Sequence, residues 1–154
     1  LCQRVITFNE KNLNLKIPNS YEFNTDDLNI LDKYTSNYEN LIGFIDNQNL
    51  NAYVNFIQEQ LFSANKYFND QEPWNKKTDI KRLNSILYVS LELIRKISIM
   101  LYPIIPESSL KVLKIFNLDE NKIIFNSITK HEELKKNIKI SKISILFKKI
   151  DKND

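Results

Sequence analysis

Residues 86–106 read ILYVSLELIRKISIMLYPIIP, the most apolar stretch of the chain, and this stretch decides the fold. Its middle contains Glu92, Arg95 and Lys96. A membrane-spanning helix excludes charged residues from its middle, so this stretch is not a membrane span. The spacing predicts a helix from about Asp79 to Tyr102 that is apolar on nearly all sides. Such a helix is buried by its neighbours, so we place it at the centre of a bundle. The residues expected to be buried on it include Leu83, Leu87, Leu91 and Ile94.

Other segments of the chain also repeat apolar residues at helical spacing. In chain order they are residues 1–8, 25–45, 50–68 and 107–116. Asn24 or Thr25 is the expected N-cap of the second segment, and Pro103 and Pro106 separate the central helix from the last one. The single glycine argues against a many-stranded β fold, which needs turn residues every few positions. The sequence therefore predicts an all-α, antiparallel bundle of four to five helices over residues 1–116.

The C-terminal part of the chain has a different pattern. Residues 137–150, NIKISKISILFKKI, alternate apolar and basic residues and lack helix caps. The formal net charge is +3, and the basic excess lies after residue 110. We expect residues 117–154 to form a basic C-terminal extension that packs back on the bundle as an extended tail, anchored by Leu146 and Phe147.

The composition excludes several classes of function. One cysteine and one histidine leave no disulfide framework, no zinc site and no Ser-His-Asp triad, so we expect no catalytic residue and no metal. No secretory signal is visible, which indicates a soluble, cytoplasmic protein without membrane contact. The chain opens on LCQRVITF without a methionine, with a helix already under way. We interpret it as the C-terminal piece of a longer protein.

Trp74, the only tryptophan, lies in the polar break between two predicted helices. Pro73 stiffens the approach to it, and Lys76 and Lys77 follow as candidates for contacts with an RNA backbone. An indole held beside cations can stack on an unpaired base. The alternative is that Trp74 closes one end of the bundle, since most tryptophans are largely buried.

Further polar residues are candidates for binding or for structure. Arg4, on the first helix, carries a planar fork that can read a base edge or hold a phosphate, although most such arginines are surface charges. Asn65 precedes the break and is a candidate for contact with an RNA backbone, although we expect it to cap or tether the loop by bonding freed backbone groups. We expect Arg82 and Arg95 to form salt bridges within the bundle, and Asp27 to cap a helix.

Several motifs in register resemble one known family. They are ANKYFNDQEPWNKK (64–77), Arg82, LIRKISIMLYPIIPE (93–107) and LFKKID (146–151). Together they are similar to the C-terminal anticodon-binding domain of bacterial methionyl-tRNA synthetase, a class I synthetase, over essentially the whole chain. In that family the third helix ends in Asn-[Lys/Arg]-Tyr, a Pro-Trp follows, and the next helix closes in Pro-x-x-Pro.

The resemblance implies that Arg4, Pro73 and Trp74 read the anticodon of a methionine tRNA. The family pairs its arginine with an asparagine four residues earlier, which would fall one position before Leu1. Glu72 stands where the family more often has a small residue. The resemblance thus implies a function in tRNA anticodon recognition.

The resemblance also implies partners and cofactors. The full-length enzymes attach methionine to tRNA with ATP and Mg²⁺, in an N-terminal catalytic domain whose HIGH-like and KMSKS-like motifs this sequence lacks. We therefore expect no cofactor here, a monomer, and two partners: methionine tRNA and the N-terminal catalytic domain of the same chain. Two alternatives are the corresponding domain of a related class I synthetase, and a helical scaffold that does not bind RNA.

Overall fold

The computed structural model describes residues 1–118, 121, 123–144 and 146–147, and within them it is an all-α bundle, as predicted. Its helices are α1 (Cys2–Leu13), α2 (Thr25–Ser36), α3 (Tyr38–Asp46), α4 (Leu50–Asp70), α5 (Ile80–Leu101) and α6 (Pro106–Ile115). Short 3-10 turns cover Pro73–Asn75 and Phe125–Thr129. Across this part of the chain, none of the helices combines the length and the apolar character needed to cross a bilayer.

Helix α5 is the central helix that the apolar stretch predicted. Every residue from Leu83 to Met100 is buried, and the helix packs against α1, α2, α4 and α6. The four positions predicted to face the core are at most 3% exposed. Asp79 caps the helix by accepting the Arg82 backbone N–H at 3.1 Å.

The charges in the middle of α5 are satisfied inside the bundle. Arg95 donates from Nε to Glu92 Oε2 at 2.7 Å, which confirms the predicted salt bridge. Glu92 also accepts the backbone N–H of Leu134 at 2.8 Å, and Lys96 donates to the carbonyl of Lys130 at 2.6 Å. Buried charges persist only when they are paired and hydrogen-bonded. Here they fasten the segment after α6 to the central helix.

The prediction of one helix over residues 25–45 is wrong, because the helix is interrupted at Asn37. Its backbone leaves the helical region at φ −106° and ψ 7°. The Ser36 hydroxyl donates to the Asp32 carbonyl at 3.0 Å, and the Asn37 amide donates to the Lys33 carbonyl at 2.8 Å. Such bonds compete with the helical backbone ladder, so the helix ends there although the apolar spacing continues.

An extended part of the C-terminal segment pairs with the loop after α1. Ile17 donates its N–H to the Ile138 carbonyl at 2.9 Å and accepts from Asn137 at 3.0 Å, and Ile140 donates to the Leu15 carbonyl at 2.7 Å. The Ile140 side chain is 2% exposed. We call this antiparallel pairing of residues 15–17 with 137–140 the terminal clasp.

The two residues expected to anchor the tail differ. Leu146 is half-buried and packs against the core, whereas Phe147 is 67% exposed, so the prediction is wrong for Phe147. The described residues do not include Ile145 or residues 148–154. The last part of the LFKKID motif therefore lies outside them. The division into a bundle over 1–116 and an extension over 117–154 stays a prediction.

Candidate nucleic-acid interface

The loop between α4 and α5 presents Trp74 at one end of the bundle. Glu72 adopts a left-handed conformation (φ 45°, ψ 58°), and Pro73 then starts a 3-10 turn. Asn75 closes the turn by donating its N–H to the Glu72 carbonyl at 2.9 Å. Pro73 is buried, whereas Trp74 is 42% exposed. The turn therefore fixes Trp74 in place and leaves much of its indole open to solvent.

The indole of Trp74 meets Phe68 at the end of α4. The two rings meet edge to face, with centroids 6.3 Å apart and an interplanar angle of 71°. Phe68 is 1% exposed, as expected for a core residue. Trp74 thus packs against the end of the bundle and is also partly open to solvent, so both roles weighed from the sequence stay predictions.

Arg4 contacts the same phenylalanine. Its guanidinium carbon lies 5.0 Å from the centroid of the Phe68 ring, a cation–π geometry. Nη2 of Arg4 also donates to Asn69 Oδ1 at 2.6 Å. The structure therefore brings Arg4 and Trp74, which are far apart in sequence, to one ring at one end of the bundle.

Two lysines extend this surface along the loop. Lys76 and Lys77 are exposed, and neither has an ion-pair partner among the described residues. Lys66, by contrast, is neutralised by Asp70 at 2.6 Å. The two loop lysines are free to meet a phosphate group, the contact that dominates nucleic-acid affinity.

Asn65 makes a hydrogen bond within its own helix. Its side-chain amide donates to the Leu61 carbonyl at 2.9 Å, one turn earlier. Because α4 continues past Asn65 to Asp70, this bond lies inside the helix, and a role of Asn65 in the loop stays a prediction.

The loop is tied down by a cluster centred on Asp27, which is fully buried. Arg82 donates to both Asp27 oxygens, at 2.5 and 2.9 Å, and the Tyr67 hydroxyl donates to Oδ1 at 2.5 Å. The fourth donor is the Asn24 N–H at 3.0 Å, in a capping box. These contacts confirm the predicted salt bridge of Arg82 and the predicted cap of Asp27.

Gln71 connects that cluster to the loop, and sequence reasoning missed it. Arg82 Nη2 donates to Gln71 Oε1 at 2.6 Å. Burial, reinforced by the Asp27 charge, raises the pKa of Tyr67 well above its ordinary value, so its hydroxyl stays a donor. The sequence could have predicted an ion pair between Asp27 and Arg82, because both lie in the first turn of a helix. No feature of the spacing indicates that Gln71 joins them.

The chain's single cysteine and single histidine are the remaining candidates for chemistry. Burial raises the pKa of the Cys2 thiol to about 11, which keeps it protonated near neutral pH. His131 pairs with Asp32 of α2 at 2.9 Å. In the part of the chain that the structure describes, no three His, Cys, Asp or Glu side chains are grouped to hold a metal ion.

Comparisons with known proteins point to one family. A family model described as the anticodon binding domain of methionyl tRNA ligase matches residues 17–154. The methionine–tRNA ligase of Brucella suis is 35% identical over 129 residues, covering 83% of this chain and 25% of that protein. The methionine–tRNA ligase of Rickettsia conorii is 31% identical over 155 residues, covering 98% of this chain and 30% of that protein.

Solved structures agree with these matches. Methionyl-tRNA synthetase of Mycobacterium tuberculosis in its free state has a TM-score of 0.88 at 27% identity, over 97% of this chain and 31% of that one. The same enzyme bound by methionyl-adenylate has a TM-score of 0.87 at 28% identity, over 96% and 30%. The chain thus spans only 25% to 31% of the length of these relatives.

Proposed function

Because the chain belongs to the family of methionyl-tRNA ligase anticodon-binding domains, we propose that it binds the anticodon stem-loop of a methionine tRNA. One observation carries the proposal: Arg4 and the half-exposed Trp74 converge on Phe68 at the end of the bundle. A stacking platform beside a planar cation suits an unpaired base, whose face and edge both need a partner.

Each residue of this surface has a distinct task in the proposal. A base of the anticodon loop stacks on the open side of Trp74, and Pro73, buried beneath the turn, holds the indole there. Among the described residues only Asn69 accepts a hydrogen bond from the Arg4 side chain, so the other donors of its fork can read a base edge or a phosphate. Lys76 and Lys77 neutralise the RNA backbone.

The proposal extends to the whole protein. We propose a methionine–tRNA ligase that activates methionine with ATP and Mg²⁺ in an N-terminal catalytic domain and works as a monomer in the cytoplasm, without membrane contact. The named relatives and the methionyl-adenylate bound to one of them support this activity. The present chain selects the tRNA, with its C-terminal extension over residues 117–154 packed on the bundle, and performs neither chemical step.

Binding of RNA hairpins to Trp74→Ala tests the anticodon role. We expect the variant to bind the methionine anticodon stem-loop about tenfold more weakly, because one stacked base is worth about 1–3 kcal/mol. It should also lose discrimination against a hairpin with an altered anticodon. Tyr102→Ala is the matched control, since Tyr102 is 39% exposed just beyond the opposite end of α5.

Two outcomes would favour other functions. If the wild type and Trp74→Ala discriminate equally between the hairpins, Trp74 is only a lid on the bundle. If the wild type shows no salt-dependent affinity for either hairpin, the chain is a scaffold that does not bind RNA. The relatives reported above are methionine–tRNA ligases, which favours methionine over the other class I synthetases.

A further inference from the structure

A single guanidinium ties both ends of the Trp74 loop together. Arg82 lies in the first turn of α5, just after the loop, and Gln71 lies just before it. The Arg82 Nη2 atom bonds Gln71 Oε1 at 2.6 Å and Asp27 Oδ1 at 2.9 Å. The same side chain therefore holds the start of the loop, the end of the loop and the N-terminus of α2.

The cluster is too buried to bind RNA itself. Asp27 has no exposed side-chain surface, and Arg82 has 16%. Both Asp27 oxygens already accept two donors, counting Tyr67 and the Asn24 N–H. A carboxylate would in any case repel phosphate. The Asp27 and Arg82 charges neutralise each other, so the cluster can affect a ligand only through the geometry of the loop.

The loop needs such support because its conformation is unfavourable by itself. Glu72 carries a Cβ in the left-handed region, which sterically disfavours every residue except glycine. A residue in that region stays there only when the surrounding structure over-determines it. The bond from Arg82 to the neighbouring Gln71 and the bond from Asn75 Nδ2 to Glu72 Oε2 at 3.1 Å supply that constraint.

We propose that Asp27, Tyr67, Arg82 and Gln71 form a positioning cluster that sets the pose of Trp74 before any ligand arrives. Asp27 and Tyr67 orient the Arg82 fork, and the fork holds Gln71 so that the turn after it presents the indole over Phe68. The effect on RNA rests on the proposed function, whereas the effect on the indole does not.

Gln71→Leu tests the positioning role, because it removes the bond between the cluster and the loop, together with the long 3.4 Å bond from Gln71 Nε2 to Asp26 Oδ2 at the surface. Trp74 is the sole tryptophan, so fluorescence excited at the red edge of absorption, where the seven tyrosines do not absorb, reports on this loop alone. We expect stronger acrylamide quenching and lower steady-state anisotropy, with the circular dichroism spectrum unchanged. Binding of the methionine anticodon stem-loop should weaken by about three- to tenfold, less than or equal to the loss in Trp74→Ala.

Arg82→Lys provides the conservative comparison. Lysine keeps the charge opposite Asp27 but lacks the fork that reaches Asp27 and Gln71 at once. The variant should therefore reproduce the fluorescence change of Gln71→Leu. Gln58→Leu is the control, since Gln58 is an exposed glutamine of the same helix, α4, and should leave fluorescence and RNA binding at wild-type values.

The outcomes separate the two proposals. If Gln71→Leu and Arg82→Lys keep wild-type quenching and anisotropy at a temperature where they are folded, the positioning role is wrong, even if their melting temperatures fall. If the indole is loosened but RNA binding stays unchanged while Trp74→Ala weakens it, the pose does not matter and the proposal is also overturned. If Trp74→Ala itself leaves RNA binding intact, the proposed RNA function is wrong. The fluorescence measurements then test the positioning cluster by themselves.

Discussion

Phe68 is the residue on which the candidate surface is assembled. It is buried at the last turn of α4, yet its ring meets the guanidinium of Arg4 and the indole of Trp74. A core aromatic thereby orients two surface side chains that belong to different elements. The arginine also keeps a fixed direction through its 2.6 Å bond to Asn69. Preorganised side chains lose less conformational freedom when a ligand binds.

Arg4→Lys tests whether the shape of that cation matters. Lysine retains the charge but cannot stack a planar group on Phe68 while donating to Asn69, so we expect binding of the methionine anticodon stem-loop to fall about as far as in Arg4→Ala, roughly tenfold. Titration of a labelled hairpin measures the loss. Lys11→Ala, an exposed charge on the same helix, is the control. Wild-type affinity of Arg4→Lys would mean that charge alone is used.

The sequence indicated part of this surface because its chemistry is local. A lone Trp beside Pro and two lysines stands out in a polar break, and the family resemblance pointed to Arg4. The role of Phe68 and the tie through Gln71 were not predictable, because they depend on which helix ends meet. Asp27 and Arg82 were each assigned a plausible role, but their bidentate contact joins residues that only the tertiary fold brings together.

Among the elements, α5 carries three fully buried ionisable side chains, Glu92, Arg95 and Lys96. Lys96 lies fully inside the bundle, next to Arg95 and above the ring of Tyr34 at 5.3 Å. Burial, assisted by the Arg95 charge and partly offset by Glu92, lowers the pKa of Lys96 from 10.5 to about 7. Because this pKa is depressed on folding, the unfolded chain binds more protons between those two values, and stability rises with pH across that range.

A pH series on Lys96→Met tests this coupling. Between pH 7 and 9 we expect the unfolding free energy of the wild type to rise by about 2 kcal/mol relative to that of the variant, which has no amine to titrate. Urea unfolding followed by circular dichroism gives both curves, and the difference in their slopes cancels the loss of packing in the variant. Parallel curves would show that Lys96 keeps its proton throughout this range.

The helices also show where sequence patterns are reliable. For α5 the predicted bounds, Asp79 and Tyr102, miss the observed ones by one residue at each end, because an apolar run between polar caps leaves few other solutions. Apolar spacing does not predict the helix break at Asn37, because it indicates which face of a segment is buried and not whether the helix is continuous. Side-chain bonds from Ser36 and Asn37 to the preceding turn decide that point.

At the scale of the whole molecule, the terminal clasp joins the two ends of the described chain. On the C-terminal strand of the clasp Ile140 is buried, whereas Ile138, two positions away, is 38% exposed. The two therefore form a matched pair for mutation within one extended segment.

Ile140→Ala should lower the unfolding free energy by about 2–4 kcal/mol, because it removes buried methyl groups and leaves a cavity. Ile138→Ala should cost less than about 1 kcal/mol, since its side chain is already partly in water. Urea unfolding of both variants makes the comparison. Equal losses would indicate that the clasp is held by its backbone bonds and not by Ile140.

The clasp also imposes an order on folding during translation. Translation produces residues 15–17 directly after α1, but their partners at 137–140 emerge only after α6 has been made. Contacts that are near in sequence form fastest, and closing the long loop between the clasp strands costs additional entropy. The helices can therefore assemble while Ile17 still exchanges its amide hydrogen with water. Protection of that one amide marks the moment at which residues 137–140 join the bundle.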